Sequence, residues 1–176
     1  MTGADTTHRL AIAELPEPDG NEPELPQVLV STTGFADVDT GLAHAESEVA
    51  VRCEIMAAAR ASRAEVAAAV IAAAEYLTRA GGAVPAQPGV MLPRLAEGTA
   101  LEETDCTVSH GLLISPYLWE GQVPQVAEEG RLTLVCQLLM LTDAEYAYAV
   151  DEGVEAFQQA VAQRDIDLLD WSRATE

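Results

Sequence analysis

Residues 131–170 read RLTLVCQLLMLTDAEYAYAVDEGVEAFQQAVAQRDIDLLD. The run from Arg131 to Leu141 is apolar on both faces of an extended chain, so it predicts a strand in the middle of a sheet that is covered on both sides. Thr142 and Glu145 then form a T-x-x-E capping box, in which each side chain satisfies a backbone donor at a helix start. Leu141 and Tyr146 occupy the positions of a hydrophobic staple. Gly153 breaks the helix, a second short helix follows, and the segment leaves through Asp165, Asp167 and Asp170. A central strand feeding a capped helix pair organises the rest of the chain around it.

Before it, CTVSHGLLISPYLW (106–119) is a strand stopped by Pro116, and EGQVPQVAEEG (120–130) reads as the connecting loop. Further back, QVLVSTT from Gln27 is rich in β-branched residues and ends at Gly34, as a first strand should. In EVAVRCEIM, Val49, Val51, Cys53 and Ile55 fall on one face and Arg52 and Glu54 on the other, the pattern of a half-exposed strand antiparallel to the first. Ser62 and Glu65 make a second capping box. Val66, Val70, Ala73 and Leu77 recur at helical spacing, and Gly81 with Gly82 supplies the stop, so a helix over 62–80 is expected. The following stretch, 83–105, is broken by prolines into loop or edge segments. Strand, strand, long helix, irregular segment, strand, strand and two helices make an α+β fold, with one mainly antiparallel or mixed β-sheet and helices packed against it. Residues 1–26 read as an acidic, Pro/Glu-rich tail and 27–176 as a single domain. LPEPDGNEPELP (15–26) has too little to bury to offset its ordering entropy. The preceding LAIAEL is either a short helical turn or an extended arm docked on the domain.

The chain carries 9 basic residues, all arginine, against 29 acidic ones, a formal net charge of −20. Such a balance argues against nucleic acid as a partner, because phosphate binding needs clustered cations. It suits a solvated, salt-tolerant surface or, alternatively, an acidic face that steers a basic protein partner. No apolar run approaches the roughly 20 residues of a membrane span and no signal core opens the chain, so no membrane is implied and a cytoplasmic location is expected. Cys53, Cys106 and Cys136 are odd in number and lie in apolar strand-like runs, as buried reduced thiols do.

Candidate chemistry is sparse. Ser109, His110 and the nearby Asp105 invite a nucleophile reading. Neighbours on a strand point to opposite faces, however, so Ser109 and His110 cannot pair as nucleophile and base without a bulge. The competing expectation places His110 on one face with Val108, Leu112 and Ile114, partly buried and satisfied locally. Cys106 and His110, four residues apart along a strand, lie about 13 Å apart, too far to share a zinc ion. His8 and His44 lack close partners in sequence. Asp37, Asp39 and Glu48 match positions of a calcium loop, but Leu42 stands where the sharp turn needs glycine. Asp165, Asp167 and Asp170 read as a solvated exit. No catalytic, metal or cofactor residue is therefore assigned. For binding, the N-terminal strands offer an edge that could pair with an extended peptide, and Tyr117, Leu118 and Trp119 are either an aromatic anchor patch or core packing under a loop.

Several of these segments share one resemblance. VLVSTTGFADVD with SEVAVRCEIM resembles the T-x-G-hydrophobic turn and following E-L strand of the suppressor-of-fused-like domain. GLLISPYLWEG resembles its late, proline-ended strand, and the segment from Leu132 to Arg173 its strand, capped helix, glycine, short helix and acidic-plus-arginine end. The likeness spans roughly Gln27 to Arg173, on the order and spacing of these motifs. It implies a binding domain without catalysis. The animal regulator of that name sequesters a transcription factor, partly by strand pairing between two domains, of which this chain resembles the N-terminal one. Stand-alone bacterial members act as immunity proteins that neutralise a partner toxin. The resemblance thus implies a protein partner, a basic toxin in its most concrete form. The alternatives are a regulatory adaptor that binds a host peptide or transcription-related protein, and a small hydrolase using His110, nearby acids and the proline-broken loop. The matching positions around Thr33, Gly34, Pro116 and Thr142 read as architectural, so the partner-binding residues are left open.

Overall fold

A computed structural model describes residues 8–15, 27–44, 49–117 and 123–174. Its strands are β1 (Leu10–Leu15), β2 (Gln27–Thr32), β3 (Ala50–Arg60), β4 (Met91–Leu92), β5 (Val108–Ile114), β6 (Gln125–Glu128) and β7 (Arg131–Thr142). Its helices are α1 (Arg63–Ala80), α2 (Asp143–Glu152) and α3 (Val154–Arg164). The strands form one mixed sheet in the order β1-β2-β3-β7-β5-β4, with β6 paired to β7 beside this path. β3 and β7 are parallel, and every other pair is antiparallel. The α+β class is therefore realised in its mixed form.

β7 is the central strand its sequence predicts. Cys136, Leu138 and Met140 enter the core beneath α1, while Leu139 and Leu141 face α2 and α3. On the first side, α1 brings Val66, Ala69, Val70, Ala73 and Leu77 down onto Val28 and Val30 of β2 and Ile55, Ala57 and Ala59 of β3. Alanines on both partners let the helix lie close to the sheet, and the larger Val66, Val70 and Leu77 are fully buried. Ser62 and Glu65 form the expected capping box, and Gly81 ends α1 in the left-handed region at φ 55°. On the second side the apolar cluster is small: Leu112, Ile114, Leu139, Leu141, Ala149 and Phe157. Thr142 and Glu145 complete their capping box, and Tyr146 packs against the cluster that holds Leu141, where a staple would place it.

Three elements are more definite in the structure than in the sequence. Of the two alternatives for LAIAEL, the extended arm is adopted: it is β1, paired antiparallel to β2, so the boundary at Gln27 separates two strands of one sheet. β2 is consequently not an edge. The loop 120–130 contains a short strand, β6, whose partner is the first half of β7. Within the irregular segment, Met91–Leu92 is the edge segment β4, and it approaches β5 where Gly111 leaves no room for a side chain: an added Cβ would meet Leu138 Cδ1 at 2.8 Å.

Candidate interaction site

Among the described side chains of β1, only Leu10 packs against an apolar cluster. β1 ends the strand order, and among the described residues nothing pairs with its outer side. The Thr33 N–H donates to the Arg9 carbonyl at 2.8 Å, which sets the alternation of the antiparallel ladder. Ala11, Ala13 and Leu15 therefore turn their backbone groups toward β2, and Leu10, Ile12 and Glu14 turn theirs outward. Ala11, Ile12, Ala13 and Glu14 are all exposed, Ile12 at 48%. The edge carries neither the lysine nor the proline by which natural sheets discourage pairing. An ion pair from Glu14 to Arg63 ties β1 to the start of α1. β6 and β4 also lie at margins of the sheet, but they are 4 and 2 residues long against 6 for β1.

The residues that carried the sequence resemblance are structural. The Glu54 carboxylate accepts the Thr32 hydroxyl at 2.5 Å and the backbone N–H groups of Gly34, Phe35 and Ala36 at 2.7, 3.1 and 3.3 Å. Thr32 Oγ1 in turn accepts the Ile55 N–H at 2.9 Å. One carboxylate thus satisfies the donors that open the 3-10 turn over Phe35–Asp37, which explains why a T-x-G turn and a later glutamate go together. Gly34 supplies the φ of 110° that turns the chain there. At the other end, Arg173 donates to both oxygens of Glu145 at 2.8 and 2.6 Å and to the carbonyls of Met140 and Asp170, each at 2.8 Å. Both side chains are buried, at 7% and 12% exposure. Burial alone would push the Glu145 carboxyl up. The Arg173 bonds and the Thr142 N–H outweigh it and hold the group below its ordinary value. Pro116 is buried at the end of β5.

Ser109 and His110 meet in a way the alternation rule did not give. The β5–β7 register shifts between Val108 and His110, a bulge at Ser109. It sends Val108 into the α1-side core, while His110 stays near the α2 side with Leu112 and Ile114. The expectation that Val108 and His110 share a face is therefore wrong, and the extra residue is the reason. Their carboxylate partner is Asp143 at the start of α2, not Asp105. Ser109 Oγ donates to Asp143 Oδ1 at 2.5 Å, and His110 Nε2 lies 3.0 Å from the same oxygen. These bonds from Ser109 and His110 hold the Asp143 carboxyl below its ordinary value. His110 Nδ1 accepts the Arg94 N–H at 3.0 Å, so the proton sits on Nε2, and the ring stacks on Tyr146 at 4.0 Å.

A hydroxyl, an imidazole and a carboxylate are thus gathered at the wall of a cleft of about 470 Å³ that Arg94, Leu101 and Cys106 also line. The order of the bonds is not that of a nucleophile and base. Serine and histidine bind the carboxylate in parallel, and both ring nitrogens are engaged, leaving neither to take a proton from Ser109. The arrangement fastens the segment at Arg94 and the β5 bulge to the α2 start.

The other candidates disperse. Asp37 pairs with Arg131, and Asp39 with Arg52 and the Gly41 N–H; Glu48 lies outside the described residues. Among the described residues no group of three His, Cys, Asp or Glu side chains could hold a metal ion. Asp167 pairs with Arg60 and accepts the Leu169 N–H, and Asp170 accepts the Ser172 N–H. The acidic exit is therefore a bonded turn rather than only a solvated one. Tyr117 is 47% exposed, and Leu118 and Trp119 lie outside the described residues. His8 sits against Phe35.

Cys53 and Cys136 are buried free thiols. A hydrogen bond with Cys136, then burial, pushes the Cys53 thiol up. Cys106 is only partly buried, ahead of β5, and its thiol donates to Glu65 at 3.7 Å. Sequence reasoning missed the fully buried Gln137, whose Oε1 accepts the Tyr117 N–H at 3.4 Å. No helix among the described residues is long and apolar enough to cross a membrane.

A suppressor of fused homolog from Neisseria gonorrhoeae FA 1090 superposes with a TM-score of 0.53 at 13% identity, over 95% of this chain and 87% of that one. The chain in the crystal structure of the Sufu–Fu complex gives 0.57 at 14%, over 95% and 76%. Drosophila Suppressor of Fused gives 0.55 at 16%, over 95% of this chain but only 42% of its own, so the present chain spans less than half of it. No curated protein sequence matches the chain. The family model for suppressor of fused protein matches residues 6–174, nearly the whole length, and the chain therefore belongs to the suppressor of fused family.

Proposed function

We propose that the chain is a non-enzymatic, cytoplasmic binding domain that captures a protein partner, with an extended segment of that partner added to the sheet at β1. The observation that carries this reading is the six-residue edge with outward backbone groups at Leu10, Ile12 and Glu14. Main-chain pairing gives affinity at such an edge, and the side chains beside it give selectivity. The most concrete form is an immunity-type protein that binds and neutralises a toxin. A net charge of −20 supports a basic partner, whose encounter it would accelerate, and disfavours nucleic acid. The Sufu–Fu complex, a relative solved with a partner, favours a second form, a regulatory adaptor.

Affinity purification from the native cell should recover one stoichiometric protein. A partner encoded beside this gene, with the cell becoming sensitive to it on deletion, supports immunity; a partner from a regulatory pathway supports the adaptor. Ile12→Pro removes an outward N–H at a position where an edge strand tolerates proline. It should weaken partner binding by about tenfold or more while the thermal midpoint stays near that of the wild type. Unchanged affinity would show that the partner binds elsewhere.

A further inference from the structure

A second concavity lies between α2, α3 and the C-terminal segment, with a volume of about 400 Å³. Its body is apolar, formed by Tyr148, Phe157, Val161 and Ile166. Four charged side chains also line it, and three are already matched. Glu145 is held on both oxygens by Arg173, and Asp167 is held by Arg60 from β3. Arg164, in the last turn of α3, is the lining charge with no ion pair or hydrogen bond among the described residues. The pocket therefore presents one uncommitted guanidinium above an apolar floor, in a chain that is otherwise strongly anionic. The distant negative charge is screened over roughly 8 Å at physiological salt, so the local group decides.

We infer that this pocket binds an amphiphilic monocarboxylate, its aromatic or aliphatic body against Tyr148, Phe157, Val161 and Ile166 and its carboxylate on Arg164. The size and an apolar lining beside one uncommitted charged group are those of small-molecule sites. A guanidinium offers two parallel donors to a carboxylate, which fixes the orientation of the ligand. A basic ligand would meet Arg164 unfavourably and find both carboxylates occupied. The site is independent of the β1 edge.

The test uses the whole chain and two probes of one shape, 4-phenylbutyrate and 4-phenylbutan-1-ol, titrated while backbone and side-chain NMR signals are followed. Phenylbutyrate should shift the resonances of Tyr148, Phe157, Val161 and Ile166, and the alcohol should bind more weakly by about tenfold, the scale of one lost charged hydrogen bond. Arg164→Gln, on the surface, should reduce phenylbutyrate binding to the level of the alcohol. Ala160→Trp, which fills the pocket, should abolish both. Shifts located elsewhere, no shift at all, equal binding of the two probes, or undiminished binding by Arg164→Gln would each overturn the assignment.

Discussion

The two faces of the sheet are held by different means. Beneath α1 the core is continuous and nearly all apolar, running from Val28 on β2 to Trp171 near the C-terminal end. Across the sheet, the cluster under α2 and α3 has six buried members, and polar locks finish the work: Glu145 with Arg173, and Asp143 with Ser109 and His110. Burial of apolar area tolerates small errors in geometry, because the hydrophobic effect has no direction. A buried ion pair does not, since removing one partner strands the other charge. The same sheet is thus robust on one side and specific on the other.

Arg173→Ala should break the comparison most sharply. It leaves Glu145 buried without its partner and frees two carbonyls, at a cost of about 3–5 kcal/mol. Chemical denaturation would measure the loss, and hydrogen exchange should show it concentrated in α2 and α3. An even rise in exchange across the sheet would mean that the two faces are one cooperative unit. Leu77→Ala empties a fully buried site under α1 and should cost about 2–5 kcal/mol. Its effect should be global, lowering the midpoint without a separate early transition. The smallest effect is that of pH. Because the folded Glu145 and Asp143 carboxyls lie below their ordinary values, the stability they lend is present above those values and is lost as pH falls through the folded ones. Acid should therefore loosen α2 and α3 before α1, a sequence that exchange at graded pH would resolve, and Glu145→Gln should flatten the dependence.

Whatever is encoded within one turn of helix or one strand is readable from sequence. Ser62 with Glu65 and Thr142 with Glu145 are three apart, and both capping boxes form as written. β7 announced its central place by being apolar on both faces. What depends on a distant partner was hidden. β1 is a strand because Gln27–Thr32, beyond a proline-rich stretch, offers it a ladder, and nothing inside LAIAEL states that. The bulge at Ser109 coincides with its bond to Asp143, 34 positions away, and moves Val108 to the opposite core. The candidate edge was legible only in part: an N-terminal edge was expected, but its identity required knowing that β1 covers β2. The pocket at Arg164 was invisible because it is defined by which arginines already have partners.

The parallel pairing of β3 with β7 also has a consequence in time. β3 is made early, but the strand that completes its ladder follows only after α1, the irregular segment and β5. At roughly 5–20 residues per second of synthesis, the nascent chain holds one side of β3 open for several seconds. That transient margin, Ala50 to Met56, carries the apolar Val51, Cys53 and Ile55, and it is a place where a holding chaperone or a neighbouring nascent chain could pair before β7 emerges.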